Sequence, residues 1–469
     1  MFLVRKGEIE GRLDATAYRP AFNYSSAKFE IEKLSKVALI NPKVSFDQLD
    51  NESEISFVPM EVVDEINGTI SELRFKKVKD SKGFTRFQEN DLIWAKITPC
   101  MQNGKSAVAR NLKQGFACGS TEFYIIHPKS DNVLVDYLHI LLRDERVLEN
   151  AQNFFGGSAG QQRVSIAFLK NLKIPVPPIE TQAKIVALFE AAYAQKRSKE
   201  AEAKAFLAGI DGYLLYVLGI ILPQPTEKKK FFYTHSSKVS GGRFDPKKYT
   251  PESERLVKSL SKGKFETVVL KDLVIQSVSG DWGIDEAKEG FEERLVIRAT
   301  EFDNRFNLNL DNSRVKYRFI SQSKLEKMNL QVNDLLIEKS GGSEDQPVGR
   351  IAIITKELSD NHSLAFSNFI HKIRVDSNKI NCEYLFDYLK TIHNIKFTDL
   401  MQSQTNGIRN LIMKEYFYIL IPLPPLAAQT EIANHIAEIR SKAKRLELEA
   451  KEIVEQAKAR VEKTILGEA

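Results

Sequence analysis

The sequence predicts an α+β fold in which two tandem α/β domains are each followed by a long helix. The two helices are expected to pair as an antiparallel coiled coil, and the two halves to form an internal pseudo-twofold repeat. Three observations support this prediction. The segment IPVPPIETQ at Ile174 returns 247 positions later as IPLPPLAAQ at Ile421. Shorter motifs return in the same order before it. Apolar residues at coiled-coil spacing follow each proline-rich segment.

The repeat runs through most of the 469 residues. Its matched motifs are GRLDATAYRP with GRFDPKKYTP, KLSKVALI with VLKDLVIQ, ENDLIWAK with VNDLLIEK, and GSAGQQRV with SQTNGIRNL. The offset between partners rises from 231 residues, between Gly11 and Gly242, to 247 residues, between Gly160 and Gly407. An offset that only rises is expected when the loops of a duplicated unit have gained insertions. The chain is therefore predicted to contain two copies of one module.

Each copy is predicted to mix strands and helices. Runs of β-branched and aromatic residues predict strands within residues 116–128, 350–355 and 366–375. Apolar residues at helical spacing predict one helix over residues 134–152 and another over residues 382–395. Together these segments indicate a compact α/β domain in each copy.

The closing segments predict two helices of about 40 residues, each about 60 Å long. The apolar seam of the second helix comprises Ile432, Ile436, Ile439, Ala443, Leu446, Ala450, Ile453 and Ala457, and it is expected to slip near Val461 and Ile465. The seam of the first comprises Val186, Phe189, Tyr193, Ala203, Leu207, Ile210, Leu214 and Val217, with interruptions at Lys196 and Glu200. Neither helix can bury its seam alone, so the two are expected to pack on each other.

The proline-rich segments predict the domain boundaries. Prolines end a strand ladder and are tolerated in the first turn of a helix, and Glu180 in that turn suits the helix dipole. The boundaries predicted in this way are residues 1–175 for the first domain, 176–222 for the first helix, 223–230 for a linker, 231–421 for the second domain and 422–469 for the second helix.

The composition is that of an ordinary globular protein, with 42% hydrophobic and 28% charged residues. No run of about 18 apolar residues is present, and the opening residues lack a signal-peptide core, so a cytoplasmic protein without membrane contact is expected. Cys100, Cys118 and Cys382 show no CxxC spacing, which predicts free thiols.

The placement of charge separates the helices from the domains. The net charge is +6, yet residues 428–469 carry eight basic and eight acidic side chains, and residues 180–220 carry five of each. The basic excess therefore lies outside the helical segments. A neutral helix of mixed charge suits a partner helix, whereas a basic domain suits a phosphate backbone.

The sequence carries none of the motifs that would predict an enzyme. It lacks a phosphate-binding loop, a GxGxxG turn, the Asn/Asp-Pro-Pro-Tyr run of amino-methyltransferases, a close histidine pair for a metal ion and a GxSxG elbow. Asp285, Glu286 and Lys288 could imitate part of a nuclease site, and a methyltransferase with an unfamiliar site also stays open. A third alternative is a non-catalytic coiled-coil adaptor that binds only proteins.

The ordered motifs resemble those of the DNA-specificity subunit of type I restriction–modification systems. The resemblance covers essentially the whole chain. It is carried by GRLDATAY and GRFDPKKY, by IEKSGGSEDQPVGRIAII from Ile337, by GIRNL from Gly407 and by the two IPxPPxxxQ segments.

The resemblance implies a non-catalytic chain whose two target-recognition domains read the halves of a bipartite, asymmetric DNA target. It further implies that the helices fix the gap between the halves and bind two methyltransferase subunits, which restriction/translocase subunits join. S-adenosylmethionine, ATP and magnesium would then act on those partners, and no cofactor is expected on this chain. Sequence alone leaves the target bases, the gap length and the choice between cleavage and methylation open.

Polar loops that contain glycine and basic residues are the expected DNA contacts, because such side chains bind phosphates and base edges. In the first domain these residues are Lys96, Thr98, Gln102, Asn103, Lys105, Gln161, Gln162 and Arg163. In the second domain they are Lys339, Ser340, Gly341, Gln346, Arg350, Arg409 and Asn410. Arginine and lysine suit phosphate or guanine, and the amide of Asn410 suits adenine.

Overall fold

The computed structural model describes residues 28–157, 161–224, 231–239, 245–303, 305–342, 347–405 and 408–467. Within these ranges the chain divides into two compact units, one comprising Met1–Ala201 with Leu446–Ala469 and the other Glu202–Arg445. Each unit combines one α/β domain with parts of both long helices. Gly160, Gly407 and the motif GRLDATAYRP of the sequence repeat lie outside the described residues.

In the residues that the structure describes, the first domain comprises short strands and four α-helices. Its strands are β1 (Ile31–Lys33), β2 (Ala38–Ile40), β3 (Glu54–Val58), β4 (Val63–Asp64), β5 (Thr69–Ile70), β6 (Arg74–Lys77), β7 (Thr85–Gln88), β8 (Leu92–Ala95), β9 (Ser106–Val108), β10 (Phe116–Gly119), β11 (Phe123–Pro128), β12 (Phe155–Gly156), β13 (Arg163–Val164) and β14 (Lys173–Pro175). Its helices are α1 (Leu34–Val37), α2 (Val135–Leu142), α3 (Glu145–Gln152) and α4 (Ile166–Asn171). The first long helix, α5, spans Ile179–Leu218.

The second domain repeats this pattern with longer strands. It begins with helices α6 (Ser236–Val239) and α7 (Pro251–Leu260). Its strands are β15 (Thr267–Val269), β16 (Val274–Ser279), β17 (Phe291–Ile297), β18 (Tyr317–Ser321), β19 (Leu335–Glu338), β20 (Ser340–Gly342), β21 (Ile351–Ile353), β22 (Leu364–Phe366), β23 (Ile370–Val375), β24 (Gln402–Thr405), β25 (Ile408–Leu411) and β26 (Leu420–Pro422). The remaining helices are α8 (Gln322–Met328), α9 (Lys356–Asn361), α10 (Cys382–Asn394), α11 (Met413–Tyr416) and the second long helix α12 (Leu426–Leu466).

The two domains share their sheet topology. The order β2-β11-β8-β9 in the first matches β16-β23-β19-β21 in the second. The order β6-β3-β10 likewise matches β18-β17-β22, and in both cases the last pair, β3 with β10 and β17 with β22, is parallel. Every residue of β8 and β19 is buried, which fits their central places and their apolar sequences. The tandem repeat and the mixed fold predicted from the sequence are confirmed.

The predicted strands are present, and one predicted helix is divided. Residues 134–152 form α2 and α3, because Asp144 leaves the helical conformation and its side chain accepts a hydrogen bond from the amide of Arg146, capping α3. Residues 382–395 form the single helix α10, as expected, and the side chain of Asn381 caps it by accepting from the amide of Tyr384.

The long helices pair in an antiparallel manner within each unit. In the first unit, Lys199 of α5 forms an ion pair with Glu449 of α12 at 2.6 Å, and Ile185 shares one core with Ile465. In the second unit, the rings of Tyr213 and His435 lie 4.5 Å apart between centroids. As the residue number on α5 rises from 185 to 213, the residue number of its contact on α12 falls from 465 to 435, which confirms the antiparallel coiled coil.

The seams differ in detail from the prediction. Val461 and Ile465 are buried against the first domain, so the apolar seam of α12 continues where it was expected to slip. Lys196 lies in the seam of α5 without interrupting the helix, and its side chain is only 13% exposed. Its ammonium reaches Glu200 at 2.9 Å while the aliphatic stem is covered, the usual arrangement of a lysine at such a position.

A buried glutamine attaches each long helix to its domain. Gln182, four residues after the last proline of the first segment, accepts a hydrogen bond from the amide of Leu134 and donates to the carbonyls of Asn132 and Pro177. Gln429 makes the equivalent bonds to Asn381, Lys379 and Pro424. Both glutamines are fully buried. The glutamine of IPxPPxxxQ therefore joins helix to domain through main-chain atoms alone.

None of the helices in the described part of the chain combines the length and the apolar run that crossing a bilayer requires.

Candidate nucleic-acid interface

A lysine directly after the central strand lies at the same place in both domains. The amide of Lys96 donates to the carbonyl of Glu122, and its carbonyl accepts from the amide of Val164, both at 2.9 Å. Lys339 makes the equivalent bonds to Phe369 at 2.9 Å and Leu411 at 2.8 Å. Each lysine therefore joins two segments that are distant in sequence. The segments that contain Val164 and Leu411 adjoin predicted DNA contacts, whereas no contact was predicted in those that contain Glu122 and Phe369.

In the first domain, two predicted contact segments form one surface. The amide of Thr98 donates to the carbonyl of Gln162 at 2.9 Å, and the hydroxyl of Thr98 accepts from the amide of Gln162 at 3.1 Å. The ammonium of Lys96 lies 5.3 Å from the centre of the Tyr124 ring. Gln161, beside this pair, is exposed. The structure thus brings Lys96, Thr98 and the glutamine pair together.

The guanidinium of Arg163 is held by a carboxylate on the same surface. Its Nε and Nη2 atoms donate to Glu122 at 2.9 and 2.8 Å. Hydrogen bonding from Arg163 lowers the pKa of Glu122, and the same bond raises the pKa of Arg163. Arg163 therefore stays charged, but the edge of its guanidinium that carries Nε and Nη2 is already bound to a partner of the same domain.

The other predicted contacts of the first domain lie on the turn that leads into β9. Gln102 and Asn103 are exposed there, and Gln102 donates to Gln152 at 3.4 Å. The ammonium of Lys105 donates to the carbonyl of Met60 at 3.2 Å and lies 3.4 Å from Glu65. This turn follows the Lys96–Thr98 segment directly, and its side chains contact other parts of the domain, so Lys105 is engaged within the domain.

In the second domain, the contact segments form a small sheet of order β20-β25-β24. Ser340 lies opposite Asn410 in the β20–β25 pair, and its hydroxyl donates to the side-chain oxygen of Asn410 at 2.6 Å. Gly341 has a φ of 115°, a conformation that favours glycine. It is exposed, so the backbone there is open to close approach.

A chain of polar groups positions Lys339. Its ammonium donates to the hydroxyl of Ser279 at 2.9 Å, and that hydroxyl lies 3.2 Å from Nδ1 of His371. Nε2 of the same ring lies 2.7 Å from the hydroxyl of Ser277. Burial and the charge of Lys339 lower the pKa of His371 to about 4, so the ring is neutral at ordinary pH. Burial also lowers the pKa of Lys339.

Arg350 lies in the interior of the second domain. It is buried, and its guanidinium donates to Glu338 at 2.9 and 2.8 Å and to the carbonyls of Phe302 and Ala299 at 2.8 and 2.9 Å. These bonds occupy the donors that a phosphate or guanine would need. The sequence could not separate this arginine from its exposed neighbours, because its carboxylate partner lies on β19, which is brought beside it only by the pairing of β19 with β21. Gln346 lies outside the described residues.

Arg409 and Asn410, predicted side by side, belong to opposite faces of β25, because successive side chains alternate in a strand. Burial raises the pKa of Asp399, and the charges of Lys396 and Arg409 oppose that shift. Arg409 is therefore close to a carboxylate of its own domain, whereas Asn410 belongs to the face of Ser340.

Two large apolar residues on this surface were not predicted. The side chains of Phe369 and Ile408 are 51% and 53% exposed. Phe369 follows a strand, and Ile408 begins one, so both resembled core residues in the sequence. At the matching positions the first domain has the polar residues Glu122 and Gln161. This change from polar to apolar between the two copies is the signal that could have identified Phe369 and Ile408 as exposed.

The residues that could imitate part of a nuclease site make other contacts in the structure. Asp285 pairs with Arg318, and the ammonium of Lys288 lies 5.6 Å from the centre of the Phe291 ring. In the ranges that the structure describes, no group of three histidine, cysteine or carboxylate side chains is placed to bind a metal ion. Trp94 is buried and donates to the carbonyl of Leu142, as a core residue.

The chain resembles known proteins along most of its length. The family model for the type I restriction modification DNA specificity domain matches residues 23–205 and 264–456. The specificity subunit of the type I restriction enzyme EcoAI of Escherichia coli is 39% identical over 162 residues, which are 34% of this chain and 27% of that protein. The EcoEI specificity subunit of Escherichia coli is 38% identical over 157 residues, 33% of this chain and 26% of that protein. The chain thus matches about a quarter of the length of these relatives.

A solved structure shares the fold over most of the chain. It comes from work on the complex assembly and conformational transition of the type I R-M system, with a TM-score of 0.54 and 17% identity. The match covers 94% of this chain and 96% of that one. Since the family model matches the chain twice and covers well over half of it, the protein belongs to the family of the type I restriction modification DNA specificity domain, with two tandem copies of that domain.

Proposed function

We propose that the chain is a non-catalytic DNA-reading subunit of a type I restriction–modification complex, and that each domain reads one block of a bipartite, asymmetric target. The observation that carries this proposal is the pair of lysine-centred surfaces, which share a backbone arrangement and differ in the side chains around it. A common backbone with different side chains suits two readers of two different sequences. Membership of the specificity-domain family supports the same function.

We assign the DNA contacts of the first domain to the surface of Lys96, Thr98, Gln161, Gln162 and Arg163, with Gln102 and Asn103 on the neighbouring turn. In the second domain we assign Lys339, Ser340, Gly341 and Asn410, with Arg409 at the edge. Arg350 and Lys105 are left out because their side chains are both engaged within the domains and largely covered, whereas Arg163 is exposed. Lysines would neutralise phosphates, and the amides would read base edges.

The long helices are proposed to set the gap between the two blocks. α5 has 40 residues and α12 has 41, so each is about 60 Å long at 1.5 Å per residue. DNA advances about 34 Å per turn, and two readers on one face need a separation near a whole number of turns. The boundaries proposed for domains, linker and helices are those predicted from the sequence.

The proposed partners are double-stranded DNA, two methyltransferase subunits bound through the helices and adjoining domain surfaces, and restriction/translocase subunits. The matched relatives are specificity subunits of type I restriction enzymes by name, which supports this assembly. S-adenosylmethionine, ATP and magnesium would act on the partner subunits. A cytoplasmic location is proposed, because the proposed binding target is chromosomal or incoming DNA.

Selection from a random duplex pool tests the proposal, with this chain co-expressed with the methyltransferase subunit of its operon. Two short enriched blocks around a gap of fixed length are expected. Replacing residues 33–173 with those of another specificity chain should then change one block and leave the other. Salt-sensitive binding without an enriched sequence would contradict the proposal and favour a protein-binding adaptor or a general DNA clamp.

A further inference from the structure

The sheet β20-β25-β24 of the second domain has one face toward the core and one face away from it. Leu411 and Gln402 are directly paired neighbours and are both buried, so their face points inward. Side chains alternate along a strand, so Asn410 and Ile408 project from the opposite face. Ser340, which is buried, and Ser403, which is half-buried, flank Asn410 on the neighbouring strands, so this face is partly covered at Ser340 and open at Ile408. We call this the outer face of the sheet.

Asn410 is fixed in place on the outer face and keeps free hydrogen-bonding capacity. The hydroxyl of Ser340 donates to its side-chain oxygen at 2.6 Å. That oxygen has a second lone pair, and the amide nitrogen has two donors. An amide that presents an acceptor beside a donor matches N6 and N7 of adenine in the major groove. Ser340 therefore restricts the rotation of a side chain of the type that reads adenine.

Ile408 supplies an apolar group at a fixed distance from this amide. Two residues along a strand are about 7 Å apart and project from the same face. The Ile408 side chain is 53% exposed, although isoleucine is usually buried. In the major groove the apolar group available to a protein is the 5-methyl group of thymine, which every A·T pair places across from adenine N6 and N7. The groove is about 12 Å wide and accepts a β-ribbon such as β24–β25.

We propose that the outer face of this sheet reads an A·T pair, with Asn410 on the adenine and Ile408 on the 5-methyl group of a thymine within one base pair of it. The inference rests on the proposed function and adds a base identity and a reading residue to it. At the matching positions the first domain has Arg163 and Gln161, so this combination belongs to the second domain alone.

The test uses the chain in complex with its methyltransferase subunits and the duplex recovered by selection. Each thymine in the second block is replaced by deoxyuridine, which removes only the methyl group. Loss of one buried methyl should weaken binding of the wild-type complex about fourfold. Ile408→Ala should bind the thymine and deoxyuridine duplexes equally. Ile275→Ala is the matched control, because this isoleucine of the same domain is 64% exposed and lies outside the sheet, and it should keep the fourfold difference.

A second arm tests Asn410 with 7-deazaadenine, which lacks the N7 acceptor. Asn410→Ala should weaken binding to the natural target about 5- to 150-fold. It should also become indifferent to the 7-deaza substitution at the adenine that the wild type reads. Because both base analogues change the DNA and leave the protein intact, misfolding of a variant cannot imitate the wild-type results.

The outcomes separate this inference from the proposed function. If selection recovers two blocks but the second lacks an A·T pair, or deoxyuridine leaves wild-type binding unchanged, the inference is overturned and the proposed function stands. Equal sensitivity to deoxyuridine in wild type and Ile408→Ala would likewise overturn the role of Ile408. If no block is recovered, both fail together.

Discussion

Asp91 in the first domain and Asp334 in the second lie at matching positions, and both carboxylates are fully buried. Asp91 lies 2.7 Å from Nδ1 of His127, whereas Asp334 accepts two hydrogen bonds from Arg374 at 2.6 and 2.8 Å. His127 and Arg374 also occupy matching positions. The two domains therefore keep a buried carboxylate at the same place in the fold, but its partner is a histidine in the first domain and an arginine in the second.

The candidate DNA surfaces differ much more. Where the first domain has Glu122 paired with Arg163, the second has an exposed Phe369 and an asparagine held by Ser340. Buried positions must keep satisfying the same main-chain groups, whereas exposed positions are free of that requirement. The comparison teaches that the fold of this module is specified by inward side chains and that its surface can vary separately.

The largest effect should come from a buried ion pair that the first domain lacks. Arg350→Ala leaves Glu338 charged and buried, and it should lower the free energy of unfolding of the second domain by about 3–5 kcal/mol. Urea titration checks this, because the two tryptophans, Trp94 and Trp282, lie in different domains and can be observed singly after a Trp→Phe change in the other.

Two further variants sharpen this result. Lys105→Ala, at the matching place in the first domain, should cost less because Lys105 has one main-chain partner at 3.2 Å and a longer contact to Glu65. The double variant Glu338→Leu with Arg350→Met should recover most of the stability, since it leaves no buried charge unpaired. A loss of equal size for Arg350→Ala and Lys105→Ala would contradict the contrast between the domains.

The helix attachments should respond alike in the two copies. Gln182→Leu or Gln429→Leu leaves buried main-chain groups without partners, and each should destabilise its own unit by about 1–3 kcal/mol. Gln195→Leu and Gln456→Leu change exposed glutamines on the same helices and should have little effect. Differential scanning calorimetry measures both. A clear difference between the two buried glutamines would break the equivalence of the joints.

The pH dependence should distinguish His371 from Tyr124, which occupies the matching position. The folded pKa of His371 is lowered to about 4, and an unfolded histidine titrates near 6.5. Between these values the unfolded state binds more protons, so this group makes stability fall as pH falls. His371→Tyr should remove up to about 1.4 kcal/mol per pH unit of that slope. Urea unfolding at several pH values tests this, and parallel wild-type and variant curves would refute it.

The smallest expected effect concerns the pairing of Arg163. Glu122→Gln weakens the hold on the guanidinium, which can then turn to a phosphate. The slope of log K against log salt for DNA binding should become steeper by about 0.9, the change expected for one additional phosphate contact. Fluorescence anisotropy at several salt concentrations measures this. Phe369→Ala, at the matching position of the second domain, has no ion pair to release and should leave the slope unchanged.

Features that repeat or have a period were predictable from the sequence. The tandem copies, the long helices and α10 follow from motif order and apolar spacing, which short-range physics imposes. Contacts between distant segments were not predictable. The burial of Arg350 depends on Glu338 across a strand pair, and the burial of Val461 and Ile465 depends on the first domain. Neither burial can be predicted from the local sequence, because each depends on how separate elements pack in the folded chain.

The sequence indicated which segments form the candidate site, but it did not indicate which of their side chains are exposed. The sequence indicated the loops around Lys96 and Lys339, and the structure brings their partner segments beside them. The sequence could not indicate which of Arg409 and Asn410 faces outward, because the packing of the sheet β20-β25-β24 decides which face of β25 is covered. Ile408 was missed because an apolar residue at the start of a strand is ordinarily part of the core.

The glutamine joints have a consequence for how such proteins diverge. Gln182 and Gln429 bind only main-chain atoms of the domain segments they hold, and main-chain atoms do not change when side chains are substituted. Mutations across the domain surface can therefore accumulate without disturbing its attachment to the helix. A recombination event that exchanges one domain for a distant relative would also preserve the joint. The same chain could acquire new binding preferences by inheritance of a domain while its helices remain unchanged.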